Sequence, residues 1–526
     1  MTSSTVTLNK RSVLACVVLC FLTIYMHVLN LLPEAFFPTL MGQLHISQLK
    51  FAETVAFLGY FSVVLTYLFA GLAFDVLNTR LLFLATVMLS MGSTFLLLHA
   101  TSIESLTQSR VLLGFSQGLL MIGALKIATT IIPRRLFIYF IGVFFACGYL
   151  ANVFELQIIN AMISVGFHAA VLGMNILSVL LLMFLVSALG LKPNSAQKNR
   201  SINFSQISYV LRSRQTWLIS FLMLPVFVAR NGLSEFWDLF LPVIHHIQDR
   251  ELTLITTFFY VGILLGMVVL AVFAGLKQRY NKVMSVTLLA AFISTMVMIY
   301  LPDVAIPFFV MSFMVGGFFL GAEVIGWGMA IQDIPESSAG LRFSLIAFIS
   351  GYAFMLIYPY TLSSAMLGQS TMPAVWHSAM IIYPILLLVG SVIAWFYPAV
   401  NTVESASETT LLQDLKNASQ GREQLGRVFW IVYVLGSVWV GVLALLILSY
   451  VSMRYLPSQY TTIAEYIHAI RTPLVWIASP YTLFSSLCVW RCVKNTAYLA
   501  MKFLSRAIVI IQLSGLSLMA VAGTYI

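Results

Sequence analysis

Runs of about 20 apolar residues recur along the whole chain, and no other feature restricts its fold as much. At 1.5 Å per helical residue, each run can cross a hydrocarbon core of about 30 Å. Lipid offers the backbone no hydrogen-bond partners, so a crossing segment must satisfy its own N–H and C=O groups and reads as an α-helix. Composition agrees: 60% of the 526 residues are hydrophobic and only 9% are charged, against about 25% charged in a soluble domain. The first run, from about Val13, is too long for a signal-peptide core and no small-residue cleavage site follows it, so it reads as a retained span. The expected fold class is all-α integral membrane.

Spans are expected to begin near residues 12, 51, 81, 106, 136, 164, 216, 253, 282, 304, 342 and 375, with three more near 427, 470 and 498. With a cytoplasmic N-terminus, the inside loops collect Lys10, Arg11, Arg80, Arg134, Arg135, Lys277, Arg279, Lys282, Arg342 and most other basic residues. The outside loops keep only Lys50, Arg110, Arg250, Arg454 and Arg471. Positive loops stay in the cytoplasm, so this asymmetry orients the chain. It also accounts for the net charge of +10 without nucleic acid. A multi-pass protein of a plasma or inner membrane is expected, in contact with lipid. Fifteen spans put Ile526 outside; fourteen, with Ile463–Leu487 re-entrant, put it inside.

Two long polar segments divide the chain into 1–191 (six spans), 192–215 (cytoplasmic linker), 216–398 (six spans), 399–426 (cytoplasmic linker) and 427–526 (accessory membrane segment). The two six-span halves repeat one another. Glu34-Ala35-Phe36-Phe37-Pro38 ends span 1, and Asp238-Leu239-Phe240-Leu241-Pro242 ends span 7 about 204 residues later. Gly71 to Arg80 after span 2 corresponds to Ala274 to Lys282 after span 8, and Gly114 and Gly118 of span 4 match Gly317 and Gly321 of span 10. Matches at one offset, in register with the spans, indicate a duplicated unit. Parallel repeats of this kind are a transporter architecture with the substrate site between the halves.

The segment Gly71-Leu72-Ala73-Phe74-Asp75-Val76-Leu77-Asn78-Thr79-Arg80 resembles the G-x-L-x-D-R-x-G-R-K signature of the major facilitator superfamily. Asn78 stands where the family has glycine, and asparagine also tolerates a left-handed turn. Val76 stands where the family has arginine; the second copy keeps Arg279, Asn281 and Lys282 but has Gln278 for the acid. Arg110-Val111-Leu112-Leu113-Gly114-Phe115-Ser116-Gln117-Gly118 resembles the family's R-x-x-x-G-x-x-x-G pattern, in which the glycines let helices approach closely. The resemblance covers about residues 12–398. It implies a 6+6 helix bundle of the superfamily type, here with two or three additional C-terminal spans, and a cavity lined by spans 1, 4, 7 and 10. Gly71, Asp75, Arg80, Arg110, Gly114, Gly118 and Arg279 are the implied conformational residues. The glycine-and-proline signature of the family's drug-exporting antiporters is not visible in span 5.

Ionisable residues inside a span are costly, at about 2.5–3.5 kcal/mol on insertion scales, and they tend to face a cavity or a partner. Span 1 carries His27, Asn30 and Glu34 on one face; span 4 carries Lys126; span 10 carries Glu323. Span 7 carries Arg230, Ser234 and Asp238 on one stripe, with Asn231 and Glu235 beside it, and span 5 adds Asn152, Glu155 and Gln157. Two cations suit an anionic group, and arginine offers a bidentate fork. Arg230, Lys126, Asn30, Asn231 and His27 are therefore the candidate substrate-binding residues. Glu323, Glu235, Glu155, Glu34 and Asp238 are candidates for carrying a coupling proton. The bland alternatives are a permanent Arg230–Glu235 pair, a snorkelling Lys126, and a neutral structural Glu323.

The five cysteines lack metal-ligand spacing and read as free, buried thiols. No phosphate-binding loop, zinc signature or nucleophile elbow is present, so neither an enzyme nor a cofactor is expected. The reading is a secondary transporter for a small polar, anionic solute, with proton symport. An exporter of amphipathic compounds and a non-transporting sensor or assembly subunit are the alternatives.

Overall fold

A computed structural model describes residues 10–46, 51, 58–188, 204–245, 247, 249–277, 279–300, 306–332, 334–367, 373–397, 479–493, 506 and 509–510. Among these residues there is no strand. Among the described residues, twelve helices are long and apolar enough to cross a membrane. Spans 1 to 6 are Ser12–Ala35, Leu58–Val76, Thr79–Leu98, Ile103–Ile131, Arg134–Val153 and Phe167–Leu185. Spans 7 to 12 are Arg214–Trp237, Glu251–Lys277, Tyr280–Tyr300, Ile306–Ala330, Glu336–Tyr358 and Trp376–Trp395. The accessory spans expected near 427, 470 and 498 lie almost entirely outside the described residues; residues 479–492 are helical.

The expected starts lie within a few residues of these helices, with two instructive differences. Span 11 begins earlier than expected because Arg342 is not a loop residue. It lies buried within the helix, and its Nη1 donates to the Ala330 carbonyl at 3.0 Å. Asn78 adopts φ −66° and ψ 115° rather than the left-handed turn expected of it. It is the N-cap of span 3, its Oδ1 accepting from the Arg80 N–H at 3.0 Å. A side-chain acceptor at this position satisfies one of the orphan N–H groups of a helix start. The five cysteines are free, as expected, but only Cys488 and Cys492 are buried; Cys16, Cys20 and Cys147 are half-buried.

By contact the chain divides into two compact units: Met1–Asn203 with Leu218–Val403, and Phe204–Trp217 with Glu404–Ile526. The first contains nearly all of the twelve spans. In the second, the Trp217 indole donates to the Leu211 carbonyl at 2.7 Å, fastening the helix Phe204–Arg212 to the next turn.

The repeat seen in the sequence is a repeat of packing. In the first half a Cβ on Gly114 would fall on Ser62 and the Gly59 carbonyl, and one on Gly118 would fall on Thr66. Span 4 thus packs backbone-close on span 2. In the second half Gly317 abuts the Phe259 carbonyl, Gly321 abuts Gly266 and Met267, and Gly262 and Gly266 abut the backbone of Met314 and Phe318. Span 10 packs on span 8 in the same way. Small residues are what let membrane helices approach to this distance, because lipid supplies no hydrophobic drive for helices to associate.

Close contacts join the halves at several places. Gly142 of span 5 lies against Met267 and Ala271 of span 8, and Gly71 of span 2 lies against the Gly340 backbone of span 11. Phe137 and Phe343 stack across the same boundary with centroids 6.0 Å apart.

Substituting Gly266→Leu is expected to lower the melting temperature of the purified protein sharply or abolish its monodisperse yield, since overpacking a tight contact costs about 1–3 kcal/mol or more. Gly173→Leu, at a position with open space around it, is expected to leave both unchanged. Fluorescence-detected size-exclusion chromatography with thermal challenge distinguishes them.

Candidate functional site

A cavity of about 720 Å³ lies within the twelve-span bundle. Residues of spans 1, 2, 4, 5, 7 and 8 line it, joined by the short helix Glu155–Val165, Glu323 of span 10 and Phe354 of span 11. Span 5 flanks the cavity as it does in the family, spans 2 and 8 contribute more than the resemblance implied, and span 10 contributes the single side chain Glu323.

Glu323 reaches the cavity because span 10 is interrupted. The helix Ile306–Leu320 ends, Gly321 and Ala322 turn, and a second helix runs Glu323–Ala330. The turn is tightened by i to i+3 bonds, Ala322 N–H to the Phe319 carbonyl at 3.1 Å and Ile325 N–H to the Ala322 carbonyl at 3.0 Å. Such a tightening inside a helix marks a strained or functional position. Gly321 permits it by fitting against span 8. Glu323 therefore stands at a helix N-terminus, where the aligned peptide dipoles favour a negative charge.

Arg230 meets it from span 7. The guanidinium Nη1 pairs with Glu323 Oε2. Glu323 Oε1 accepts from the Trp327 indole at 3.1 Å. Only 6% of Arg230 and 1% of Glu323 is exposed, so this is a buried ion pair in the cavity wall. The guanidinium also lies 5.5 Å from the ring centre of Tyr149 and 5.3 Å from that of Phe227. Arg230 Nε is buried without a hydrogen-bond partner among the described residues, which leaves one edge of the fork unused.

The rest of the wall is polar on one side and aromatic on the other. Asn30 Oδ1 accepts from Arg110 Nη2 at 3.2 Å and from Gln117 Nε2 at 2.8 Å. His27 Nδ1 lies 2.9 Å from the Thr23 carbonyl, which makes Nδ1 the donor and leaves Nε2 the lone pair. Glu235 Oε1 accepts from the Tyr60 hydroxyl at 3.0 Å, Tyr60 packs edge-on against Phe354, and Tyr149 stacks near Tyr260 at 6.1 Å.

Most of the sequence candidates converge here. His27, Asn30, Glu34, Glu155, Arg230, Asn231, Glu235 and Glu323 all line the cavity. So do Arg110 and Gly114, expected only as conformational residues. Asn231 donates its Nδ2 to the Phe227 carbonyl at 2.7 Å. The Asp238 side chain lies outside the described residues. Gln157 is exposed, and Arg279 is exposed beyond the end of span 8. Gln117, Tyr60, Tyr149 and Tyr260 were missed, although a tyrosine or glutamine inside an apolar run is itself a sign of a polar partner.

Lys126 requires a correction. Expected beside Arg230 as a second anion-binding cation, it does not line the cavity. Its Nζ pairs with Asp75 Oδ1 at 2.5 Å and donates to the Glu336 carbonyl. Asp75 in turn accepts from the backbone N–H groups of Gly340 (3.3 Å) and Leu341 (2.8 Å) at the start of span 11. Gly71 completes the junction, its N–H donating to Ser344 Oγ at 2.6 Å. Arg134 Nη2 donates to the Ile334 carbonyl at 2.8 Å on the same side. The ends of the spans that carry the basic loops are thus bolted together across the halves, and the Lys126 charge is consumed in the bolt.

The fold and site together define a polytopic transporter whose two halves close around a charged cavity. The family model of the Major Facilitator Superfamily matches residues 13–359, and the chain belongs to that superfamily. The human organic anion transporter MFSD10 (TETRAN) shares its fold with a TM-score of 0.58 and 13% identity, over 73% of this chain and all of that one. The Escherichia coli fucose:proton symporter FucP does so with a TM-score of 0.56 and 13% identity, over 74% of this chain and all of that one. No curated protein sequence gives a significant match.

Removing one member of the Asp75–Lys126 pair leaves the other charge buried and unpaired, a cost of about 3–5 kcal/mol. Lys126→Met is expected to destabilise the protein by that order. The double change Asp75→Asn with Lys126→Met is expected to be less harmful than the sum of the single changes, and a double-mutant cycle of melting curves measures the difference.

Proposed function

We propose that this chain is a proton-coupled symporter that carries a small polar, anionic solute by alternating access. The observation that carries this reading is the buried Arg230–Glu323 pair in the cavity wall. A guanidinium that binds carboxylate bidentately suits an anionic solute. In this cavity its nearest competitor is a carboxylate of the protein itself.

That competition supplies the coupling. While Glu323 is ionised it occupies Arg230 and resists an incoming anion. A proton on Glu323 neutralises it and frees the guanidinium, and the solute anion takes its place. The alternative, a buried Arg230 with no counter-charge, costs several kcal/mol, so proton and anion enter together or not at all. After the halves reorient, loss of the proton restores the Glu323 carboxylate, which reclaims Arg230 and expels the solute. Glu235, Glu155 and Glu34 are further acids of the cavity wall, and Asp238, on the same helix as Arg230, is kept as a further candidate. His27, Asn30 and Asn231 offer polar contacts to the solute.

The basic-loop ends are read as cytoplasmic from the positive-inside rule. With the Asp75 junction made at that end, the conformation is closed to the cytoplasm and its cavity serves the outer face. Asp75, Gly71, Arg80, Gly114 and Gly118 then act on the conformational equilibrium rather than on the solute. Phe144, Phe145, Phe227 and Phe354 in the wall favour export of amphipathic compounds as the second reading.

In proteoliposomes, Glu323→Gln is expected to abolish accumulation driven by an inward proton gradient while preserving solute counterflow, because the neutral amide mimics the permanently protonated acid. Arg230→Ala is expected to abolish both. In the unaltered protein uptake rises as the outer pH falls, since protonation of Glu323 precedes anion binding. Uptake independent of pH, or a Glu323→Gln variant that still concentrates solute, would dismiss the coupling scheme. A thermal-shift screen against organic acids, phosphates, amino acids, sugars, peptides and siderophores supplies the solute, by the stabilisation that binding confers.

A further inference from the structure

Lys126 and Arg230 each meet a carboxylate; Arg110 meets a neutral amide. Arg110 is only 5% exposed and lines the cavity from span 4, two turns in from the start of the helix. Among the described residues its one hydrogen bond runs from Nη2 to Asn30 Oδ1 at 3.2 Å, and its Nε is buried without a partner. A guanidinium carries five N–H donors, so most of this fork is unspent. No carboxylate among the described residues stands at ion-pair distance from it. Glu34, one turn beyond Asn30 on span 1, is exposed and acts on Arg110 from farther off. A buried cation held only by a neutral group is costly, and an anion entering the cavity offsets that cost.

The neighbours sharpen the preference. Asn30 Oδ1 has two lone pairs, and Arg110 and Gln117 take both. Arginine has no acceptor, so the atom facing it is the amide oxygen, and Nδ2 is the end of Asn30 left over. Gln117 spends its Nε2 on Asn30 and on the Met26 carbonyl at 3.3 Å, keeping its Oε1 as the one acceptor of the cluster. Gly59 of span 2 keeps the space beside the guanidinium free of a side chain, since a Cβ there would stand 4.0 Å from Nε and Nη2. The cluster therefore offers a full positive charge and N–H donors, the complement of a carboxylate or phosphate group.

Arg230 offers the same chemistry to the same cavity from the other half. From this pairing we propose that the solute carries two anionic groups, one held by Arg230 and the other by Arg110 with Asn30. The wall between them is short. His27 lies one turn from Asn30 with its ring 6.1 Å from that of Tyr149, and Tyr149 lies 5.5 Å from the Arg230 guanidinium. The proposal rests on the anion reading of Arg230 and deepens it. It also gives the two groups different requirements. At Arg230 the anion displaces Glu323 and needs its proton, whereas at Arg110 no carboxylate has to leave. One group docks at Arg110 without a proton, and the second engages Arg230 as Glu323 is protonated. A solute bound at both ends ties span 4 of the first half to span 7 of the second.

The test uses matched probes on the purified full-length protein, with affinity read by calorimetry. The pairs are adipate with hexanoate, suberate with octanoate, and 3-phosphonopropanoate with propanoate. Each is titrated into the unaltered protein and into Glu323→Gln, which releases Arg230 from its carboxylate. The two-anion member of at least one pair is expected to bind at least about tenfold more tightly than its partner, the discrimination of one charge-assisted hydrogen bond. Arg110→Gln is expected to bring that ratio close to one, and Arg110→Lys, which keeps the charge and loses the fork, is expected to preserve part of it. The comparison within the unaltered protein stands even if Arg110→Gln fails to fold. If the one-anion probes bind as tightly as their partners and Arg230→Ala abolishes both, the Arg110 site is wrong and the anion reading survives. Anion binding that Arg230→Ala leaves intact overturns both. A two-anion preference that persists in Arg110→Gln overturns the assignment to Arg110, and failure of all six probes to bind to either protein overturns the two-anion site.

Discussion

A charge placed in hydrocarbon must be paired, and most of this architecture follows from how that demand is met. Four buried cationic side chains lie within the first twelve spans, and each has a specific partner. Arg110 holds Asn30, Lys126 holds Asp75, Arg230 holds Glu323, and Arg342 holds the Ala330 carbonyl. The pairs differ in what surrounds them. Lys126 and Asp75 are tied further into backbone groups at the start of span 11, so that exchange of either partner would break the junction between the halves. Arg230 and Glu323 face an open cavity, with one edge of the guanidinium unused. The same interaction is a bolt between the halves in one place and part of the cavity wall in the other.

Glycine determines where these charges can stand. Span 4 approaches span 2 through Gly114 and Gly118, and span 10 approaches span 8 through Gly317 and Gly321. These are equivalent contacts in the two copies of the repeat. The second copy departs from the first at Gly321–Ala322, where span 10 breaks and presents Glu323 at the start of a new helix. The duplicated scaffold thus carries an asymmetric cavity, with the Arg230–Glu323 ion pair wholly in the second half and the polar Asn30–Arg110–Gln117 cluster in the first. A solute that touches both sides links its occupancy to the relative position of the halves, as alternating access requires.

The cavity was more legible in the sequence than the junction. Residues such as Arg230, Glu323, His27 and Asn30 announced themselves because polar groups in apolar runs are expensive. Eight of the ten substrate and proton candidates line one space. Lys126 obeyed the same rule and misled, because the cost of burying a charge says that a partner exists without saying which. Its partner, Asp75, is 51 residues away in sequence on a neighbouring span. Tyr60, Tyr149 and Tyr260 escaped notice because tyrosine is common in membrane helices, and its significance depends on what its hydroxyl meets.

The amino-acid sequence by itself determined the membrane class, the positions of twelve spans, the duplication and the superfamily resemblance. All of these rest on local length, hydropathy and short spacings that need no knowledge of neighbours. Only the tertiary structure decided which charges pair, that Asn78 is a helix cap, that Arg342 is buried within a span, and that span 10 breaks at Glu323. Those outcomes depend on contacts between segments far apart in the chain. The free energy of a buried ion pair is a property of two residues and the space between them, and a one-dimensional string does not contain that space.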